Sequence, residues 1–165
     1  MKKFIRYQFN KKTFYGEIIN NTIFELKGNF ISTNSIKYTG NKLKLKDVNL
    51  LPPVEPSKII CLAYNYKDLV GKLKKYKEPL LFSKPITSLL APNKKILISN
   101  KTKTWTEVEL AIIVGKKCKK ANILKAKRSI FGYTIANDVT MKNIANRDHH
   151  LLRSKGCDTF CPLGP

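Results

Sequence analysis

The sequence predicts a β-rich, mixed α/β fold in which a small N-terminal β unit precedes a larger domain. Short runs that alternate apolar and polar residues recur along the chain, a pattern typical of strands. Apolar spacing of the helical kind is confined to a few short segments. With 165 residues, of which 42% are hydrophobic, the chain is large enough to build a core.

The N-terminal β unit is predicted over residues 1–50. Residues 14–19 and 22–26 have the alternation of two strands, and Asn20 and Asn21 lie between them. Asparagine tolerates the left-handed backbone that a tight hairpin turn requires. We therefore expect an antiparallel hairpin closed at this Asn-Asn pair.

A polar segment and a proline-rich connector separate this unit from the larger domain. Residues 32–50 are rich in Lys and Asn and only weakly periodic, so they predict no regular element. Residues 51–56 (LPPVEP) predict an extended connector, because their prolines are incompatible with a helix. The second domain is predicted over residues 51–165.

In the first half of the larger domain, a short helix is predicted between strands. Residues 58–63 are a compact apolar run typical of a strand, and residues 80–82 and 95–98 are further strand candidates. The helix is predicted over residues 67–76 and ends before Pro79. One face of this helix carries its apolar side chains, Leu69, Val70, Leu73 and Tyr76.

In the second half, strands and helices are predicted to alternate. Asn122 is placed to cap a helix over residues 122–130, and residues 131–139 (FGYTIANDV) follow as a strand. Thr140 is placed to cap a further helix that starts near Met141.

Two glutamates stand at the start of an apolar run over residues 105–115 (WTEVELAIIVG). In a strand Glu107 and Glu109 point the same way, about 6.5 to 7 Å apart along the backbone. One interpretation is the wet face of an antiparallel strand, and the other is a metal or catalytic site. Residues 110–114 are apolar on both faces, which favours a covered sheet and therefore the second interpretation.

Asp138 is a third candidate, at the end of the strand predicted over residues 131–139. A carboxylate at a strand end, directed at the N-terminus of the next helix, is often a ligand or a catalytic group. The alternative is that Asp138 caps a turn, and the local sequence leaves both interpretations open.

Composition limits the remaining function classes. The net charge is +21, but only four of the basic residues are arginine, the residue that reads bases, so we expect nonspecific adhesion at low salt and no specific nucleic-acid binding. No run of about 20 apolar residues predicts a membrane span, and we expect a cytoplasmic protein. The cysteines are spaced unlike zinc ligands and are expected to be buried or half-buried free thiols: Cys61, Cys118, Cys157 and Cys161.

Six motifs together resemble the fumarylacetoacetate hydrolase family. They occur in the family's order, at residues 51–56, 65–66 (NY), 81–85 (LFSKP), 106–115, 132–139 and 155–165 (KGCDTFCPLGP). The resemblance implies a β-rich catalytic domain, a sandwich or roll with short helices, and the N-terminal unit is similar to the small domain that precedes it in many members. The family contains hydrolases, decarboxylases, isomerases and hydratases, so the resemblance does not fix the reaction.

The resemblance also implies a site. Glu107, Glu109 and Asp138 would be the ligands of Mg²⁺ or Mn²⁺, and three hard oxygen donors suit either ion. The implied substrate is a 2-oxo or β-dicarbonyl acid that chelates the metal, with Lys155 and Lys142 at the family's basic positions. The implied assembly is a homodimer or a complex with a complementing chain.

Two departures from the family pattern bear on the reaction. Hydrolytic members carry a histidine and a glutamate on the short helix after the Asn-Tyr motif, where this chain has Leu69 and Lys72. Neither is a ready general base, and only His149 and His150 offer a substitute, so decarboxylation or keto–enol isomerisation is favoured over hydrolysis. The family's catalytic domain also continues past the last motif. We therefore expect a truncated chain, one half of a split enzyme, or an inactive remnant.

Overall fold

Strands dominate the architecture of the computed structural model, which describes residues 2–33, 35–70, 77–99, 101–142 and 148–165. The α-helices within these ranges are short: α1 (Lys67–Val70), α2 (Ile123–Ser129) and α3 (Leu152–Lys155). No helix in this part of the chain is long and apolar enough to cross a membrane. The predicted β-rich, mixed fold is confirmed.

The N-terminal residues form one antiparallel sheet of five strands in the order β4-β3-β2-β1-β5. Two of its strands, β4 and β5, lie largely within residues 32–50, where the weak periodicity predicts no regular element. Nearly every side chain of β4 is exposed, so this strand needs no alternation of apolar and polar residues. The strands are β1 (Phe4–Phe9), β2 (Lys12–Ile19), β3 (Thr22–Leu26), β4 (Tyr38–Lys44) and β5 (Asn49–Leu51).

The predicted Asn-Asn hairpin is confirmed. Asn20 and Asn21 have φ angles of 49° and 63°, and they join β2 to β3 with Ile19 paired to Thr22. Positive φ at both central residues is the geometry of the turn that matches the twist of a hairpin.

Two clusters of buried side chains stabilise this sheet. Ile5, Tyr7 and Ile23 form the first cluster, and each is at most 1% exposed. The second cluster contains Phe30, whose ring packs against Phe131 of the larger domain at a centroid distance of 5.4 Å. Aromatic packing therefore joins the N-terminal sheet to the strand that leads towards Asp138.

Pairs of strands make up the larger domain in the described ranges. Three pairs are antiparallel: β6 (Ile59–Ala63) with β7 (Leu80–Lys84), β9 (Thr104–Trp105) with β12 (Thr140–Met141), and β10 (Val108–Val114) with β11 (Ile130–Asn137). The fourth pair, β8 (Leu89–Leu90) with β13 (Cys161–Pro162), is parallel.

Most predicted elements of this domain are found, and two are wrong. Helix α2 has the predicted cap, since the Asn122 side chain accepts a hydrogen bond from the Lys125 backbone N–H. Residues 95–98 are irregular instead of a strand. Thr140 and Met141 belong to β12 instead of starting a helix, because their backbone pairs with β9.

The helix predicted over residues 67–76 is only partly described. Residues 67–70 are helical, as predicted, whereas Lys72, Leu73 and Tyr76 lie outside the described residues.

The prediction that β10 lies in a sheet covered on both faces is wrong. Its side chains alternate between exposed and half-buried along the strand, so one face of the β10–β11 pair is open. We call this open surface the outer ribbon face, formed by six side chains that are each more than half exposed: Val108, Leu110, Ile112, Val114, Tyr133 and Ile135. The opposite face of β10 carries Glu109.

Candidate metal centre

Antiparallel pairing brings the candidate carboxylates together. The start of β10 lies beside the end of β11, with Val108 paired to Asn137. Glu107 directly precedes β10, and its carbonyl accepts a hydrogen bond from the Asp138 backbone N–H at 2.8 Å. The Asn137 side chain fixes Glu107 from the other direction, accepting from its backbone N–H at 3.2 Å. The three acidic residues are therefore positioned by two neighbouring strand ends.

Lys155 bridges two of these carboxylates. Its Nζ lies 2.6 Å from Asp138 Oδ2 and 2.9 Å from Glu107 Oε2. Helix α3 supplies this lysine, which is 9% exposed and lies over the ring of Phe82. Burial acts to lower the pKa of Lys155, but its hydrogen bonds to Asp138 and Glu107 outweigh burial and raise the pKa. Lys155 is therefore a cation at neutral pH.

Lys84 is a second buried lysine at the site. It is 2% exposed, forms an ion pair with Asp138 Oδ1 and donates to the Val139 carbonyl at 3.4 Å. Lys84 belongs to the motif at residues 81–85 (LFSKP), but the sequence does not predict it as a site residue. The available signal was its spacing of two from Phe82, which places both side chains on the buried face of β7.

Trp105 holds the other oxygen of Glu107. Its indole Nε1 donates to Glu107 Oε1 at 2.7 Å, while Lys155 donates to Oε2. Burial acts to raise the pKa of Glu107, but these two hydrogen bonds outweigh it, and the pKa lies below the ordinary value of 4.5. Glu107 is thus held as a carboxylate in a fixed orientation.

Among the described residues, Glu109 has no lysine contact of the kind that Asp138 and Glu107 have. Its pKa is raised, first by burial and then by the negative charges of Asp138 and Glu107, against a hydrogen bond from Tyr66 that lowers it. Tyr66 of the Asn-Tyr motif therefore hydrogen-bonds one of the predicted site residues, Glu109. Asp138 and Glu107 therefore lie close enough to Glu109 for their charges to disfavour its ionised form.

We call Glu107, Glu109 and Asp138 the acidic cluster. The other predicted site residues lie apart from the acidic cluster. The Lys142 side chain is exposed, and its backbone N–H donates to the Lys103 carbonyl. His149 and His150 are exposed in a turn, while the side chain of Leu69 and all of Lys72 lie outside the described residues. The structure therefore joins the three acidic candidates and Lys155, and leaves Lys142 at the surface.

The thiol prediction is confirmed at three of four positions. Cys61 and Cys157 are half-buried, Cys161 is buried, and Cys118 is exposed, contrary to the prediction. Burial raises the pKa of Cys61 to about 12, and the negative charge of Asp138 adds to this effect. A thiol in this state is a packing group beside the acidic cluster and a poor metal ligand.

The donor set fits a hard divalent cation, although two carboxylates are already neutralised. Glu107, Glu109 and Asp138 offer oxygen donors with no thiolate or imidazole among them, and their mutual repulsion favours a bound cation. Within the described ranges, however, no three His, Cys, Asp or Glu side chains are arranged to hold a metal ion. Lys155 lies between Glu107 and Asp138 in this arrangement.

Two family models match the chain. The model for the fumarylacetoacetate (FAA) hydrolase C-terminal domain matches residues 58–165, and the Rv2993c-like N-terminal model matches residues 2–53. Protein Rv2993c of Mycobacterium tuberculosis is 40% identical over 131 residues, covering 78% of this chain and 49% of that protein. The chain spans about half the length of the curated relatives it matches.

Further relatives are enzymes. Oxaloacetate tautomerase fahd2 of Xenopus laevis is 37% identical over 130 residues, covering 74% of this chain and 40% of that protein. The crystal structure of 5-carboxymethyl-2-hydroxymuconate delta-isomerase from Mycobacterium smegmatis superimposes with a TM-score of 0.87 at 32% identity. That match covers all of this chain and 65% of the isomerase, so the shared fold includes both the N-terminal sheet and the strands that carry the acidic residues of this chain.

Proposed function

Because the chain belongs to the fumarylacetoacetate hydrolase family, we propose that it forms the metal-binding part of an enzyme that interconverts keto and enol forms of 2-oxo acids. The observation that carries this proposal is that two neighbouring strand ends bring Glu107, Glu109 and Asp138 near one another, with Asp138 buried and the two glutamates half-buried. The names of two relatives, an oxaloacetate tautomerase and a muconate delta-isomerase, support this reaction class.

Each acidic residue has a distinct part in this proposal. Glu107, Glu109 and Asp138 would hold Mg²⁺ or Mn²⁺, which supplies a Lewis acid that stabilises the enolate of a chelated 2-oxo acid. Trp105 orients Glu107 through one oxygen, which leaves the other oxygen to Lys155 or to the cation. Lys84 neutralises Asp138 through Oδ1, whereas Lys155 contacts Oδ2, so a cation bound at Oδ2 would have to displace Lys155 from that oxygen.

Lys155 is the residue that we propose contacts the substrate. Its ammonium group is buried beside the carboxylates and is stabilised as a cation, so it is suited to pair with a substrate carboxylate or an enolate oxygen. Lys142 is exposed and keeps a positive charge near the end of β12, where we propose that it attracts the acid from solution. Neither role requires the general-base pair that hydrolytic members carry.

Thermal unfolding with and without Mg²⁺ or Mn²⁺ tests the metal site. After treatment with a chelator, we expect either ion to raise the melting temperature, because it binds the folded carboxylates and not the unfolded chain. Glu109→Ala should abolish the rise. Glu78→Ala, which removes an exposed carboxylate, is the matched control and should keep it. An unchanged melting curve with both ions would exclude the site.

An oxaloacetate assay tests the reaction separately from binding. Ultraviolet absorbance follows the enol form, and we expect the chain with Mg²⁺ to accelerate its conversion to the keto form. Lys155→Met should reduce the rate by about 10²-fold or more, as loss of one charge-stabilising group does elsewhere. A metal-dependent rise in melting temperature without any catalysis would instead support a non-catalytic, metal-binding subunit.

A further inference from the structure

Helix α3 carries Lys155 to the acidic cluster, although the helix is only one turn long. A helix of this length has too few internal hydrogen bonds to be stable by itself, so contacts outside it have to fix its position. The chain enters α3 through Leu151, whose φ of 59° lies in the left-handed region that a leucine side chain disfavours. The position of Lys155 therefore depends on the groups that hold the start and the end of α3.

The carboxylate of Asp148 holds the start of α3. Its Oδ2 accepts the Ser154 backbone N–H at 2.7 Å and the Ser154 hydroxyl at 2.6 Å. The Asp148 backbone carbonyl also accepts the Leu151 N–H at 3.1 Å, which fixes the left-handed entry to the helix. The first N–H groups of a helix have no partner inside it, so a side-chain oxygen that accepts from them stabilises the helix start.

Asp148 is a buried carboxylate that remains ionised. It is 6% exposed, and its partner Ser154 is 3% exposed. Burial acts to raise the pKa of Asp148, but the hydrogen bonds that it accepts from residues 152–154 outweigh burial, and the pKa lies below the ordinary value of 3.8. A negative charge at a helix start also interacts favourably with the helix dipole. Asp148 is therefore suited to fix the first turn of α3.

Gly156 allows the end of α3 to pack closely against β7. Its N–H donates to the Leu152 carbonyl at 2.8 Å, and a Cβ at this position would lie 2.6 Å from that carbonyl oxygen. The same Cβ would lie 3.2 Å from Pro85 Cδ, and Pro85 directly follows the last residue of β7. With both ends of the helix held, the ammonium group of Lys155 stays between its two carboxylate partners.

We propose that Asp148 is a positioning residue: by fixing the start of α3, it holds the ammonium group of Lys155 beside the acidic cluster. The contact of Lys155 with a substrate rests on the proposed function, whereas the position of its ammonium group does not. Without the Asp148 carboxylate, the first turn of α3 loses its acceptor and opens more often. Each opening takes Lys155 away from its carboxylate partners.

Trace labelling of lysines with acetic anhydride tests this position without any metal or substrate. Peptide mass spectrometry measures the acetylation rate of each lysine in the full 165-residue chain. Asp148→Ala should raise the rate at Lys155 by about tenfold, the change that loss of a helix cap gives in a local equilibrium. The rate at Lys84, which is buried on β7, should stay unchanged, because only global unfolding would raise both rates alike.

Two matched variants separate the hydrogen bonds of Asp148 from its charge. Asp148→Asn keeps an oxygen that can accept from the N–H groups of α3, so it should restore slow acetylation of Lys155. Asp158→Ala removes an exposed carboxylate just after α3 and should change neither lysine. If Asp148→Ala does not fold, Ser154→Ala removes the hydroxyl hydrogen bond alone and should give a smaller rise at Lys155.

The oxaloacetate assay separates this proposal from the proposed function. Asp148→Ala should lower the rate of catalysis, with no further loss in a chain that already carries Lys155→Met, because residues that act through one group are not additive. An unchanged acetylation rate at Lys155, equal rises at Lys155 and Lys84, or additive losses of catalysis would overturn the positioning role. Absence of turnover in the unchanged chain would contradict the proposed function, and the acetylation rates would still decide the role of Asp148.

Discussion

At the scale of single residues, Lys155 offsets the negative charge of the acidic cluster. Its Nζ contacts both Asp138 and Glu107, while Lys84 contacts the other oxygen of Asp138. An ammonium group between two carboxylates supplies the charge that a metal ion would otherwise supply. A divalent cation bound as proposed would therefore compete with Lys155 for these oxygens.

Replacing Lys155 by methionine should have two opposite effects. Without a divalent cation we expect the free energy of unfolding to fall by about 3 kcal/mol, because Glu107 and Asp138 lose a buried partner. With Mg²⁺ the rise in melting temperature should exceed that of the unchanged chain, because the competing ammonium group is absent. Chemical denaturation and thermal melts over a Mg²⁺ titration measure the two effects.

The control for this variant is Lys117→Met, which removes an exposed lysine outside the cluster and should leave both quantities unchanged. If Lys155→Met shows the same Mg²⁺-induced rise as the unchanged chain, then Lys155 does not compete with the cation.

The acidic residues of the candidate site can be predicted from the sequence. Their lysine partners are harder to predict. Glu107, Glu109 and Asp138 stand out because carboxylates are rare in this chain and adjoin apolar strands. Lysine is common in almost every segment, so Lys84 carries no compositional signal. Its burial follows from the pairing of β7 and the position of Asp138, which are tertiary contacts.

At the scale of elements, the hairpin between β2 and β3 depends on backbone conformation at Asn21. We expect Asn21→Ala to lower the free energy of unfolding by about 1 kcal/mol, because alanine has a Cβ that disfavours the φ of 63°. Asn21→Gly should be neutral or slightly stabilising, since glycine adopts this conformation freely. Urea unfolding measures both variants. An equal loss in the two would indicate that side-chain contacts of Asn21 matter instead.

Elements with a local signal were predictable, and elements defined by pairing were not. The Asn20-Asn21 turn and the Asn122 cap rest on one or two residues whose chemistry selects the conformation. By contrast, Thr140 has the residue type of a helix cap but pairs with Trp105 in β12 and β9. Strand β4 lacks apolar alternation, and its place follows from its pairing with β3 and from the hydrogen bond of Tyr38 to Glu17.

At the scale of the whole molecule, the charge of +21 predicts how the protein behaves towards polyanions. At low ionic strength we expect weak binding to any short DNA duplex, with no preference among sequences. Binding should disappear near 0.15 M salt, where the Debye length is about 8 Å and scattered lysines no longer act together. Fluorescence anisotropy with two duplexes of unrelated sequence measures this. A difference between the duplexes that persists at 0.15 M salt would indicate specific recognition.

The order of the contacts along the chain also determines when the cluster forms during synthesis. The N-terminal sheet is complete once Leu51 has emerged, because β5, which pairs with β1, is the last of its five strands along the chain. Asp138 has to meet Lys84 across 54 residues, and Lys155 joins only after α3 has been made. Until then Asp138 and Glu107 have no ammonium group from α3, and ribosome-bound chains that stop before Lys155 lack the contact that joins both carboxylates.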